Sequence, residues 1–233
     1  AMAAEGAAIV DVGGESTRPG AGPISAAEQL RRVIPVIEAV RAAHDVIVSI
    51  DTSDPEVMAA AVAAGAGMIN DVRALRRPGA LAAAAAGGAA VCLTHMQGEP
   101  ATMKAHPQYL DVVSEVRAWL EERVQVCLTA GITRERLVVD PGFGFGKTLA
   151  HNMSLLKRLG AFLILGLPLA VGLSRKSMLG RLTGAAVDER LYAGLAAAVM
   201  AVAKGAVIVR THDVAPTVQA LAFCHRIAHG GPD

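Results

Sequence analysis

The stretch VIVSIDTSDPEV, residues 46–57, is one element ending and another beginning. Val46, Ile47, Val48 and Ile50 make a short run that is apolar on both faces, as a strand is when helices cover both sides of a parallel sheet. Asp54 followed by Pro55 then marks a helix start. The carboxylate can accept from free backbone N–H groups, and proline loses nothing in a first turn, where its missing N–H would have had no intrahelical partner. The same order recurs at residues 7–14 (AAIVDVGG), 67–72 (GMINDV), 89–96 (AAVCLTHM), 136–142 (RLVVDPG), 167–174 (LPLAVGLS) and 206–213 (AVIVRTHD). Helical periodicity fills residues 26–43, 55–64, 108–130, 152–159, 189–203 and 216–229, with an alanine-rich helix in GALAAAAAGGAA at 79–90. Seven strands alternating with helices predict one α/β domain over residues 1–233, either a closed barrel or a doubly wound sheet.

Composition narrows the class. Apolar residues make up 53% of the chain and aromatics 3%, so the core is built from Ala, Val, Leu and Ile packed helix on strand. A formal net charge of +1 gives no basic surface for nucleic acid. No apolar run reaches the roughly 18 residues a membrane span needs, and the start lacks the basic-then-apolar order of a leader, so a soluble cytoplasmic protein is expected. Cys92, Cys127 and Cys224 lie far apart among apolar neighbours and read as buried thiols rather than metal ligands or a disulfide. The opening AMAAEGAA, residues 1–8, reads as the last turn of a helix closed by Gly6, which predicts that a preceding strand is missing from this chain.

Ligands of parallel α/β folds sit at the carboxyl ends of strands. Six of the seven runs end in a side chain capable of chemistry: Asp11, Asp51, Asn70 with Asp71, His95, Asp140, and Arg210 with His212 and Asp213. The seventh supplies Arg175, Lys176 and Ser177 just past its end. A lone Asp in such a place is commonly a cap or turn residue, and Asp54, Asp71 and Asp213 are read that way. Asp51, Asn70 and Asp140 recur at the same end of three strands, where closure brings them to one small molecule. Two carboxylates and a carboxamide suit a flat ring offering a row of N–H donors beside an acceptor, as an aminopyrimidinone does. Arg175, Lys176, Arg210 and His212 follow the last two strands, where barrels hold phosphate, and suit pyrophosphate. The plainer alternative pairs Arg175 with a carboxylate and leaves Lys176 in water. Phe143 or Phe145 can stack on an aromatic ligand or fill the core. DPGFGFGK does not fit the G-x-x-x-x-G-K-[ST] nucleotide loop.

Taken together, DVGGESTRPGA, SIDTSDPEV, MINDVRAL, HMQGEP, VVDPGFGFGKT, VGLSRKSMLG and VRTHDV resemble the dihydropteroate synthase family in order and spacing across nearly the whole chain. The resemblance implies a (β/α)8 TIM-type barrel with its first strand missing here. The implied reaction joins 6-hydroxymethyl-7,8-dihydropterin pyrophosphate to p-aminobenzoate, giving 7,8-dihydropteroate and pyrophosphate for folate synthesis. It further implies that Asp51, Asn70 and Asp140 grip the pterin with Lys176 at its side, and that Arg210 and His212 hold pyrophosphate. Asp140, Lys176, Arg210 and His212 are then the catalytic residues. Thr17 and Arg18, in a loop that closes over the site, hold p-aminobenzoate with Phe145 on its ring and Ser177 near its carboxylate, while Asp11 chiefly orients that loop. A Mg2+ ion accompanies the pyrophosphate; its usual Asn ligand belongs to the first strand, so no metal ligand is assigned in this chain. A homodimer and sulfonamide sensitivity are also implied. The competing readings are a catalytically impaired pterin-binding module, suggested by the missing strand, and a folate-dependent corrinoid methyltransferase, against which ESTRPG, SRKS and RTHD count because methyl transfer has no use for a pyrophosphate clamp.

Overall fold

The computed structural model describes residues 1–16, 22, 24–98 and 107–230. All seven predicted strands form and run parallel: β1 Ile9–Gly13, β2 Ile47–Asp51, β3 Met68–Asp71, β4 Ala90–Thr94, β5 Leu137–Asp140, β6 Ala170–Gly172 and β7 Ile208–Arg210. β1 to β5 pair in chain order and β6 pairs with β7. A Val139–Leu169 bridge joins the two groups. The architecture is the expected barrel of βα units rather than a doubly wound sheet, because no strand order is reversed. Among the described residues no strand pairs with the outer edge of β1 or β7, which is where the first strand of an eight-stranded barrel belongs.

Helices cover the outside. α1 Ala26–Ala43 and α2 Pro55–Ala63 match their predicted spans, and Asp54 caps α2 by accepting from the Glu56 and Val57 N–H groups. α3 Ala80–Gly87 is the alanine-rich helix, and α7 Leu191–Val202 and α8 Val214–His229 fall where periodicity placed them. Two boundaries differ from expectation. α4 Val112–Thr129 starts four residues late because Asp111 caps it, and α5 Leu149–Lys157 starts early because Thr148 and His151 form a capping box. The short helix α6 Ser177–Thr183 was not anticipated, since seven residues beginning inside a polar motif carry no readable period. At the other end, Gly6 has φ +95° and the Ala7 and Gly6 N–H groups donate to the Met2 and Ala3 carbonyls at 3.0 and 3.1 Å. Those two bonds are the Schellman termination that Gly6 predicted.

The strand pleat sorts side chains into two sets. Val48, Ile50, Ile69, Val91, Leu93, Leu137, Val139 and Val171 point outward into the core shared with the helices. Met68, Cys92, Val138 and Ala170 point inward, with Ile9, Ala90 and Ile208 packed against them, and plug the barrel as a small second core. Two residues further along the same inward rows come Asp11, Asn70, Asp140, Gly172 and Arg210, and Asp51 holds the corresponding place on β2. The cysteine expectation holds for Cys92 and Cys127, which are buried; Cys224 on α8 is only half-buried.

Candidate active site

Register makes Asp51 and Asn70 direct neighbours across β2 and β3, with Gly13 of β1 opposite Asp51 on the other side. The Asn70 Nδ2 donates to Asp11 Oδ2 at 2.9 Å. Arg210 enters from β7, its Nη1 lying 3.6 Å from Asp11 Oδ2 and 3.7 Å from Asp51 Oδ2. The guanidinium lies over Gly172, its register partner, where an added Cβ would come within 3.2 Å of Nη2. Glycine in β6 therefore makes the space that lets Arg210 reach the acids. Asp140 is buried, and its Oδ1 accepts from the Gly142 N–H at 2.7 Å. Among the described residues, the buried oxygens Asp11 Oδ1 and Asp51 Oδ1 have no hydrogen-bond partner. Burying such acceptors unpaired is costly, so the barrel mouth is preorganised for a ligand that brings N–H groups.

The same crowding shows in protonation. Burial and then the Asp11 carboxylate push Asp51 up to about 7, against the opposing pull of Arg210, and burial also raises Asp140. An acid whose folded pKa exceeds its unfolded value binds more protons when folded, so its contribution to stability falls as pH rises from about 4 to about 7. Thermal melts should show Asp51→Asn raising Tm relative to the parent at pH 8, with the gain shrinking toward pH 4. A gain independent of pH would mean that Asp51 is not the strained acid.

A second set of side chains lies beside the acids. Lys176 caps α6 with its backbone and holds its Nζ 4.4 Å above the Phe145 ring centroid. Gly144 lies beside it, where a Cβ would sit 3.4 Å from the Lys176 stem. Phe145 packs with Val72 and Met96 at the mouth, whereas Phe143, 1% exposed, belongs to the core. Ser177 is the exposed first residue of α6.

Arg175 is the plainer alternative realised: exposed, with φ +58°, it pairs with Asp213 at 2.6 Å. Arg210 is drawn in between the acids, while His212 sits exposed with its Nδ1 3.1 Å from Ser174 Oγ. Asp11 contacts Asn70 and Arg210; the loop it is expected to orient falls largely outside the described residues. Asp71 is a turn residue, as read, accepting from Ser53 Oγ and from the Arg73 and Leu75 N–H groups. Thr17 and Arg18 lie outside the described residues.

Sequence reading missed Lys147 altogether. Its buried Nζ lies 2.9 Å from His95 Nδ1 and donates to the carbonyls of Gly142 and Phe145 at 2.9 Å and of His95 at 3.3 Å. It thus ties the glycine-rich loop after β5 to the end of β4. Gly142, at φ +69°, allows the close approach, because a Cβ there would collide with the His95 carbonyl. Burial lowers Lys147 to about 7, and burial together with Lys147 holds His95 well below the usual imidazole range. The available signal was a lysine ending a glycine-rich loop that matched no nucleotide motif. Lys147→Met strands these acceptors and should cost about 3 kcal/mol in urea denaturation; a loss below about 1 kcal/mol would show that the loop holds without it.

With this geometry in hand, the comparisons are unambiguous. The family model described as "Pterin binding enzyme" matches residues 1–212. Dihydropteroate synthase of Escherichia coli K12 is 54% identical over 216 residues, covering 93% of this chain and 77% of that protein. The Yersinia pestis dihydropteroate synthase, solved with a sulfonamide drug, superposes with a TM-score of 0.96 at 46% identity, covering 97% of this chain and 82% of that one. The Xanthomonas albilineans enzyme, solved with 7,8-dihydropteroate, gives a TM-score of 0.90 at 47% identity, over 99% and 85% of the two chains.

Proposed function

Because this chain belongs to the dihydropteroate synthase family of pterin-binding enzymes, we propose a division of labour among its residues in that family's reaction. The protein is a transferase that condenses 6-hydroxymethyl-7,8-dihydropterin pyrophosphate with p-aminobenzoate to give 7,8-dihydropteroate and pyrophosphate. The observation that carries the residue roles is the inward row of Asp51, Asn70 and Asp140, with the buried Asp51 Oδ1 unpaired among the described residues, beside the cations Arg210 and Lys176.

In this reading Asp51, Asn70 and Asp140 bind the pterin ring. Arg210 and His212 receive the pyrophosphate, and for that Arg210 exchanges part of its contact with Asp11 and Asp51 for phosphate oxygens. The bond between the pterin methylene and pyrophosphate oxygen breaks, leaving a cation delocalised into the electron-rich dihydropterin. The aniline nitrogen then attacks the methylene and releases one proton. Stabilising the leaving charge matters more than activating a neutral amine, so the site needs cations rather than a nucleophile and base. Phe145 supports the aminobenzoate ring, Ser177 lies near its carboxylate, and Thr17 and Arg18 close over it.

Magnesium is proposed as a companion of the pyrophosphate substrate. The described residues do not by themselves fit a protein-held ion: no three His, Cys, Asp or Glu side chains gather among them, and Arg210 lies between Asp11 and Asp51. Mg2+ commonly rides on substrate phosphates and water; no step above runs through it. A homodimer is proposed through α7 and α8, which expose Tyr192, Met200, Phe223 and Ile227. A cytoplasmic location suits three free thiols. Titration calorimetry tests the main reading: p-aminobenzoate should bind measurably only when pyrophosphate is present with a pterin. Binding indifferent to pyrophosphate would point to the methyltransferase alternative, and pterin binding without turnover to the inactive module.

A further inference from the structure

We propose that Asp11 is a positioning residue that sets which way the Asn70 carboxamide faces, and so fixes the donor–acceptor pattern that Asn70 presents to the ring. The inference rests on the pterin-binding reading above. It starts from a chemical asymmetry: an ionised carboxylate only accepts hydrogen bonds, whereas an amide end either donates or accepts. The Asn70 amide end lying 2.9 Å from Asp11 Oδ2 must therefore be the NH2. Turning the amide over would set its oxygen against the carboxylate, two acceptors at hydrogen-bond distance. Arg210, a second donor group, lies 3.6 Å from the same Asp11 oxygen. Asn70 is 7% exposed, so bulk water is a poor substitute as an ordering partner.

The contact spans the barrel. Asp11 is on β1 and Asn70 on β3, with β2 between them, so curvature rather than strand pairing brings the two together. With one N–H committed to Asp11, the second N–H and Oδ1 remain as one donor and one acceptor of fixed sense. A ring with an amino group where a rival has a carbonyl is distinguished by that sense, since a reversed pair leaves buried polar groups facing their own kind. Asp11 Oδ2 is thereby a specificity determinant that acts through Asn70.

The test compares a pterin with its 2-oxo analogue in wild type, Asp11→Asn, Asn70→Ala and the double variant, by calorimetry at pH 8. Asp11→Asn keeps the shape but permits either amide orientation. The preference for the 2-amino ring should fall about tenfold, while the KM for p-aminobenzoate stays within about twofold. In the double variant the pterin affinity should equal that of Asn70→Ala alone, because a residue acting through Asn70 adds nothing once Asn70 is gone. An unchanged preference in Asp11→Asn, or losses that multiply in the double variant, overturns the proposal. A second readout is independent of ligand and of whether the variants fold. In the wild type, the side-chain NH2 of Asn70 should give one strongly downfield proton in 15N-edited NMR, as expected of a donor to carboxylate. Its absence overturns the proposal even if pterin binds. Failure of the wild type to bind pterin refutes the functional reading instead, and leaves the NMR result to decide the amide.

Discussion

Asp140→Ala should abolish detectable pterin binding while leaving the barrel folded. The carboxylate is buried at the end of β5, and its only recorded internal partner among the described residues is the Gly142 N–H, so most of its accepting capacity faces the lumen. Removing it from a ring with two N–H donors leaves those donors unpaired at the buried end of β5, a loss of several kcal/mol, or about three decades in Kd. Stability moves the other way. Burial raises Asp140 above the usual carboxylate range, so alanine relieves a desolvated charge at neutral pH and Tm should not fall. Calorimetric titration with melting controls decides it: a Kd within tenfold of wild type removes Asp140 from the cradle.

Arg210→Ala should lower turnover by about three orders of magnitude and weaken plain pterin binding far less. The guanidinium is a cation already held at the mouth by two carboxylates, set over a glycine that leaves it room. A preorganised charge aimed where pyrophosphate departs is worth more than one recruited from solvent. The variant also leaves Asp11 and Asp51 without the guanidinium beside them, so Asp51 should titrate higher still. As pH is raised to 8.5, kcat should remain depressed. Full recovery of turnover at high pH would mean that Arg210 serves only to keep Asp51 charged, and that the leaving group is stabilised elsewhere. Arg210→Lys separates charge from fork geometry: the ammonium restores the first and lacks the planar pair of donors.

The two variants bear on different parts of one surface, and that surface explains the tight coupling in this site. The acids proposed to bind the ring and the cation proposed to receive the leaving group lie within ion-pair distance of each other. Each is held in a state it would not adopt alone: Asp51 raised toward 7 and Arg210 desolvated but doubly paired. Ligand entry redistributes contacts that already exist, which suits a reaction whose main requirement is a prepared electrostatic environment.

Much of this was legible in the linear chain because it depends on short-range pattern. Apolar runs ending at Asp11, Asp51, Asn70, Asp140 and Arg210 located five of the seven strands and, by the period of two, put Asp11, Asn70, Asp140 and Arg210 in line with the inward plug of Ile9, Met68, Val138 and Ile208. Gly6, Asp54 and Pro55 marked helix ends by backbone chemistry that needs no partner elsewhere. The sequence motifs also carried the family, through side chains whose types the chemistry demands. What only the tertiary structure decided were the pairings across the lumen and between loops: Asp11 with Asn70 over an intervening strand, Arg210 between acids from the opposite end of the chain, and Lys147 clasping His95. Periodicity reports which face a residue occupies, a local property of the backbone. Which charges on that face meet is set by barrel curvature and by the room left at Gly142 and Gly172, and those arise only when distant strands close on one another.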